Sequence, residues 1–260
     1  MRQCALGIAT LLAALLAAAQ PAGAERLVTS ISRHQVLVNS SFTGTQIVLF
    51  GTIEPENATA RLRSSYDLVV TLLGPRETVV TRRKERMLGI WANVASRTFV
   101  NVPSYLGVLA NKPFAQIANA ETLRRLQIGL DYFLLPQQIG PDIADVVRDD
   151  PLRVNFIRLK KEHALYLERT NGVTFLTPVV FRAEIPLPAQ APLGTYDVQI
   201  KLFAGGAQLV TANSAFEVVK VGFEQFVATA ARDYSVLYGI AAVMMALFTG
   251  WLASVVFRKD

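Results

Sequence analysis

The residues able to do chemistry are few and scattered. The chain has two histidines, His34 and His163, far apart in sequence. His163 sits in KKEHALY without a second histidine at helical spacing, so HExxH zinc chemistry is absent. Copper handling wants clustered His or Met ligands, and the methionines beyond Met1 are Met87 and the adjacent Met244-Met245. Both histidines therefore read as surface or capping residues rather than metal ligands. The single cysteine, Cys4, precedes an apolar N-terminal run. Loss of that run would remove every thiolate chemistry: nucleophile, redox pair and Cys-ligated zinc. GxSxG, GxxxxGK[ST] and GxGxxG are all missing. The expectation is a chain with no catalytic residues, no metal and no cofactor.

Two charged stretches invite a closer reading. PDIADVVRDD carries Asp142 and Asp145, three residues apart, after a Gly140-Pro141 pair that reads as a helix start. Acids near the positive end of a helix dipole are explained by that dipole. Asp149 and Asp150, before Pro151, suit a helix end. Carboxylates such as Asp142, Asp145 or Glu162 could still meet Arg or His from distant loops. That is the enzymatic alternative. RRKER is the densest charge run, with Arg82, Arg83, Lys84 and Arg86 around Glu85. It reads either as a contact for anionic lipid headgroups or an acidic partner, or as a solvated turn between ETVVT and MLGIW. The run lacks the stacking aromatics that single-stranded nucleic acid would need, so no nucleic acid is expected.

The positioning elements begin at the two ends. The chain of 260 residues is 52% hydrophobic with net charge +6, and both termini contribute apolar runs. Residues 1–24 have a signal-peptide layout: Arg2, an apolar core from Ala5 to Ala19, and Ala22-Gly23-Ala24 at the cleavage site. An uncleaved anchor is the alternative, but the core is shorter than the ~20 residues a span needs. Near the other end, residues 235–257 carry no charge and meet that length. Arg258 and Lys259 follow, so residues 258–260 are expected to form a cytoplasmic tail. Residues 222–234 place Phe223, Phe226, Val227, Ala230, Ala231 and Tyr234 at helical spacing, predicting a juxtamembrane helix that runs straight into the span. Within the span, Ala242, Ala246, Gly250 and Ser254 recur every fourth residue. Such a stripe lets two helix backbones approach closely, though alanine is also simply common in spans.

Residues 25–221 form the expected exported body. QVLVN, TQIVLFGTI and YDLVVTLL are β-branched and apolar, separated by turn signals. Residues 113–170 are helix-prone, with Val154, Ile157, Leu159, Leu165 and Leu167 on one expected buried face. Strands return after Asn171-Gly172. In TYDVQIKL, Tyr196, Val198, Ile200 and Leu202 alternate with Asp197, Gln199 and Lys201, predicting one buried and one wet side. Gly205-Gly206 predicts a hairpin. PLGTY before that strand fits a tyrosine corner of the kind found in immunoglobulin-like sandwiches. The fold class expected is mainly β: an immunoglobulin-like β-sandwich with a helical insertion, plus one C-terminal transmembrane helix. A two-domain split near residue 112 or 170 is the alternative.

At residues 89–119 the sequence reads GIWANVASRTFVNVPSYLGVLANKPFAQIA. Gly-Ile-Trp, a following Asn, Phe-x-Asn-Val-Pro-Ser-Tyr and Lys-Pro-Phe before a helix resemble a family of single-span transmembrane proteins of alphaproteobacteria. Leu106-Gly107 and Asn111-Lys112 depart from its commoner wording. The resemblance covers essentially the whole chain and implies an envelope address without an assigned activity. It also implies an association with sulfite-exporter-type permeases. Trp91, Pro103 and Tyr105 are the candidate partner surface, but the preferred reading is structural, with Trp91 and Phe99 in the core, Pro103 at a strand end and Tyr105 in the core or at a hydrogen-bonded corner. The expected protein is a non-enzymatic binding or assembly module in the bacterial inner membrane. Its bulk would lie in the periplasm, and its partners would be the bilayer and an integral membrane protein such as a permease. A ligand sensor is disfavoured, because so short a tail could not carry output.

Overall fold

Strand-forming sequence dominates the body, and three sheets result. The computed structural model describes residues 25–55, 65–145 and 148–256. The expected signal peptide, the end of the span and the tail lie outside those residues. Numbered in chain order, the first sheet has the order β1 (Arg26–Ile31), β3 (Gly44–Glu54), β12 (Val180–Pro188), β11 (Val173–Phe175). The second, six-stranded sheet runs β10 (Tyr166–Arg169), β7 (Leu106–Ala110), β4 (Asp67–Leu73), β13 (Gly194–Ala204), β14 (Ala207–Lys220), β2 (Gln35–Val38). The third joins β5 (Arg76–Met87), β6 (Ile90–Pro103), β8 (Pro136–Ile139) and β9 (Asp142–Asp145).

The first two sheets pack face to face. Ile47 and Leu49 of β3 and Phe181 and Ile185 of β12 meet Val70 and Leu72 of β4 and Val198 and Ile200 of β13 in one core. Alternation along each strand sends these residues inward, as a sandwich requires. Both ends of the body contribute strands to these sheets, and the mainly β, sandwich-like fold class expected from sequence is present. The Tyr196 hydroxyl donates to the Pro192 carbonyl at 2.8 Å, forming the expected tyrosine corner. Gly205 and Gly206, at φ 57° and 84°, turn β13 into β14 with the left-handed pair such hairpins prefer.

A third layer covers the second sheet. Every residue of β4 is buried, because Val69 and Leu73 face a second core built from Phe99, Val102, Leu123, Phe133 and Phe156. For this reason DLVVTLL reads as a continuous apolar run. The same cover limits the expected wet face of β13 to its beginning: Asp197 is exposed and Gln199 half-buried, but Lys201 is 8% exposed.

The insertion differs in detail from the expected run of helices. It holds α1 (Phe114–Ile117), α2 (Ala120–Arg125) and α3 (Pro151–Glu162), with β8, β9 and β10 between and after them. Gly140-Pro141 is the turn of the β8–β9 hairpin, pairing Ile139 with Asp142, rather than a helix start. Gly140 takes φ +62°, which suits the first central position of a tight hairpin turn and not a helix N-terminus. Asp150 begins a helix rather than ending one: its carboxylate accepts from the Leu152 and Arg153 amides at 2.7 and 3.2 Å, with Pro151 in the first turn. Both features are N-terminal signals. The buried face of α3 is Leu152, Arg153 and Phe156, whereas Val154 and Leu159 are exposed.

After β14, α4 (Phe223–Asp233) and α5 (Ser235–Val256) follow. The expected continuous helix is interrupted at Tyr234, whose φ and ψ of −126° and 45° leave the helical region. Helix α5 has a mean hydropathy of 2.0 and no burial, so by length and composition it can cross a membrane.

Candidate functional site: the β5–β6 hairpin

The most exposed apolar feature of the body is the end of a long two-stranded ribbon. Strands β5 and β6 pair from Arg76↔Pro103 to Met87↔Ile90. The root is fixed by Phe99 and Val102, both fully buried. Beyond Thr81 the ribbon leaves the body, and residues 82–91 are all exposed. RRKER is therefore strand, and the turn is Leu88-Gly89. Period-two alternation sends Arg82, Lys84 and Arg86 to one face and Arg83, Glu85 and Met87 to the other. Arg83 and Glu85 form a 2.8 Å ion pair, and the Arg86 Nε donates to the Gly89 carbonyl at 3.4 Å. The register shifts between Arg83 and Lys84. On β6 the shift leaves Val94 without a paired residue, a bulge that re-aims the tip.

Leu88 is fully exposed, Ile90 and Trp91 are about 70% exposed, and Met87 is 54% exposed. Leu88 and Gly89 take φ 49° and 88°, the left-handed pair of a tight hairpin. Leucine is a poor residue for that conformation, costing about 1–2 kcal/mol where Asn or Gly would cost little. Sequence reasoning did not single out Leu88. Its signal was two large apolar residues, Met and Leu, directly before the glycine of a turn.

The candidate partner surface divides. Trp91 is at the tip, whereas Pro103 and Tyr105 are buried at the root. The Pro103 carbonyl accepts from the Tyr166 hydroxyl at 2.7 Å, and the Tyr105 hydroxyl donates to the Pro186 carbonyl at 2.5 Å. Burial raises the pKa of both phenols, so they remain neutral donors. Gly107 belongs to this cluster, because a Cβ there would lie 3.2 Å from the Tyr105 ring. Tyr105 thus takes the core role and Pro103 a structural one, whereas the core reading of Trp91 is corrected by its exposure at the tip, so the three cannot share one surface.

The remaining candidates stay apart. Ala242, Ala246, Gly250 and Ser254 lie along α5, all exposed, and a Cβ on Gly250 would meet nothing within 4 Å. Asp142 is exposed on β9, and the side chain of Asp145 lies outside the described residues. Glu162 is held by Arg158 at 2.7 Å on the exposed side of α3. His34 and His163 are exposed, far from one another in the chain. Among the described residues, no three His, Cys, Asp or Glu side chains are grouped to hold a metal.

Comparisons with known proteins bear on class alone. No curated protein matches the chain. Among solved structures, the N-terminal domain of the Streptococcus gordonii adhesin Sgo0707 is similar over 75% of this chain, at 10% identity and a TM-score of 0.28. This chain spans 32% of that one. A family model described as "Putative transmembrane protein (Alph_Pro_TM)" matches residues 26–259, nearly the whole sequence, and the chain belongs to that family.

Proposed function

We propose that this chain is a membrane-anchored, non-enzymatic binding module of the bacterial inner membrane, its sandwich facing the periplasm and holding an integral membrane protein through the β5–β6 tip. The observation that carries this reading is Leu88, a fully exposed leucine in a left-handed turn position. A residue that costs stability and buries nothing within its own chain is accounted for by burial against another molecule. Met87, Ile90 and Trp91 enlarge the apolar end, and Trp and Met are favoured in protein contacts. Arg82, Lys84 and Arg86 behind it suit the acidic rim of a partner or the headgroup level around one. The partner class is an integral membrane protein because α5 confines the module to the bilayer plane; a sulfite-exporter-type permease is one of that kind. The stripe Ala242, Ala246, Gly250 and Ser254 offers a second contact inside the membrane.

A photo-crosslinking amino acid at position 88 of the full chain in cells tests the reading. The expected product is one adduct with an integral membrane protein, lost when Trp91→Asp is added. Adducts with lipid alone, or none from position 88, would overturn it. The orientation has its own test: a reporter fused after Asp260 should be active in the cytoplasm, and activity on the exported side would contradict it.

A further inference from the structure

A second feature stands apart from the hairpin tip and does not depend on its role. Where the outer face of the six-stranded sheet meets the hairpin root and the loop after α2, the structure forms a cleft of about 420 Å³. Its floor is polar. Thr71 of β4 lies directly opposite Gln199 of β13, and Lys201 follows two residues on, on the same face. Thr71 is 2% exposed and its hydroxyl has no partner among the described residues. Lys201 is 8% exposed, and among the described residues its ammonium has one hydrogen-bond partner, the Gln199 Oε1 at 3.1 Å. Among the described residues, no carboxylate lines the cleft.

Burying an ammonium without a counter-charge is unfavourable, and the burial lowers the pKa of Lys201. Two further cations border the same space. Arg76 donates to the Asn101 carbonyl at 3.1 Å, and Arg125 closes α2. Beside them, Asn101 and Gln127 hold left-handed backbones at φ 55° and 53°, a conformation that costs energy and recurs at ligand clamps. Leu126, Phe133 and Leu134 supply an apolar wall. Positive charge without acids, an orphaned hydroxyl and an apolar wall together define a chemical class.

We propose that this cleft binds a small organic anion. Its carboxylate, or a comparable oxyanion, is held by the Lys201 ammonium and the Thr71 hydroxyl, and its apolar body lies along Leu126, Phe133 and Leu134. The anion supplies the missing counter-charge and the missing acceptor at once. Arg76 and Arg125 at the border attract it and neutralise its remaining charge.

Calorimetric titration of the full-length chain in lipid nanodiscs with benzoate tests this, with benzamide as the neutral isostere and empty nanodiscs as baseline. Benzoate is expected to bind saturably and at least about tenfold more tightly than benzamide. Lys201→Met should weaken benzoate about tenfold or more, and Thr71→Val about threefold, as a charge-assisted contact and a single hydroxyl donor respectively. Both substitutions remove a poorly satisfied buried polar group, so both should leave the melting temperature equal or higher. Weaker binding then cannot be assigned to unfolding. Should Lys201→Met fail to fold, Thr71→Val decides by the same titration. Absence of saturable benzoate binding up to about 10 mM, equal affinity for benzamide, or wild-type affinity in the variants would overturn the proposal.

Discussion

The Tyr105 hydroxyl donates to the Pro186 carbonyl at 2.5 Å across the gap between the two sandwich sheets. Tyr105 precedes β7 in one sheet, and Pro186 lies in β12 of the other. Gly74 and Gly107 make room for this side chain: a Cβ on either would lie 2.9 or 3.2 Å from Tyr105 atoms. Its ring centroid is 5.7 Å from that of Tyr196, the corner residue. The segment Val-Pro-Ser-Tyr-Leu-Gly is therefore a structural knot.

Tyr105→Phe leaves the ring in place and the Pro186 carbonyl without its donor, so it should destabilise the body by about 1–2 kcal/mol. Tyr196→Phe should cost about 1 kcal/mol through the loss of the Pro192 contact. Chemical denaturation of the full chain measures both. Because the rings touch, the double variant should depart from additivity.

Burial raises the pKa of Tyr105, Tyr166 and Tyr196. A raised folded-state value contributes stability that is complete below the unfolded phenol pKa of about 10 and is lost as pH climbs above it. Stability of the full chain should thus fall steeply from about pH 10 upward, and each Tyr→Phe variant should flatten that fall. Lys201 has the opposite sign, since burial lowers its pKa. Its charge is a penalty at neutral pH that is relieved as pH rises through its folded value toward the ordinary lysine pKa of about 10.4. The stability gained by Lys201→Met should shrink over the same interval.

Sequence legibility followed the reach of each signal. The β13 alternation, the Gly205-Gly206 turn and the Tyr196 corner depend on neighbours a few residues away, and all three are present. The wet side of β13 holds at Asp197 and fails at Lys201, because the cover over Lys201 comes from residues some seventy positions earlier, which no local pattern encodes. Asp149-Asp150-Pro151 fits a helix end by its proline alone, but acid followed by proline is also an N-terminal signal, and Asp150 caps the start of α3. Trp91 and Tyr105 share one motif, yet strand pairing carries Trp91 far from the core and leaves Tyr105 inside it. Spacing along a motif does not state which end of a hairpin is rooted.

Gln137 of β8 is fully buried, and among the described residues neither side-chain atom has a partner. An unpaired buried amide costs about 1–3 kcal/mol. Gln137→Met keeps the volume and removes the cost, so it should raise stability by about 1 kcal/mol or more in denaturation of the full chain. A loss of stability would show that this amide is engaged in the folded chain.

Leu88 separates folding from binding more cleanly than any other position. Leu88→Asn puts at φ 49° a residue that tolerates the left-handed region, directly before Gly89, and so creates the Asn-Gly pair that such hairpins favour. The body should become about 1 kcal/mol more stable. The same change removes the most exposed apolar side chain of the tip, so capture of the membrane partner, measured as yield of a crosslinked adduct from a probe at Trp91, should drop severalfold. A structural role predicts the reverse pattern, lower stability and unchanged capture, because a leucine serving the fold would be missed by the fold. Higher stability with undiminished capture would leave Leu88 without a purpose at the contact and move the binding surface elsewhere on the sandwich.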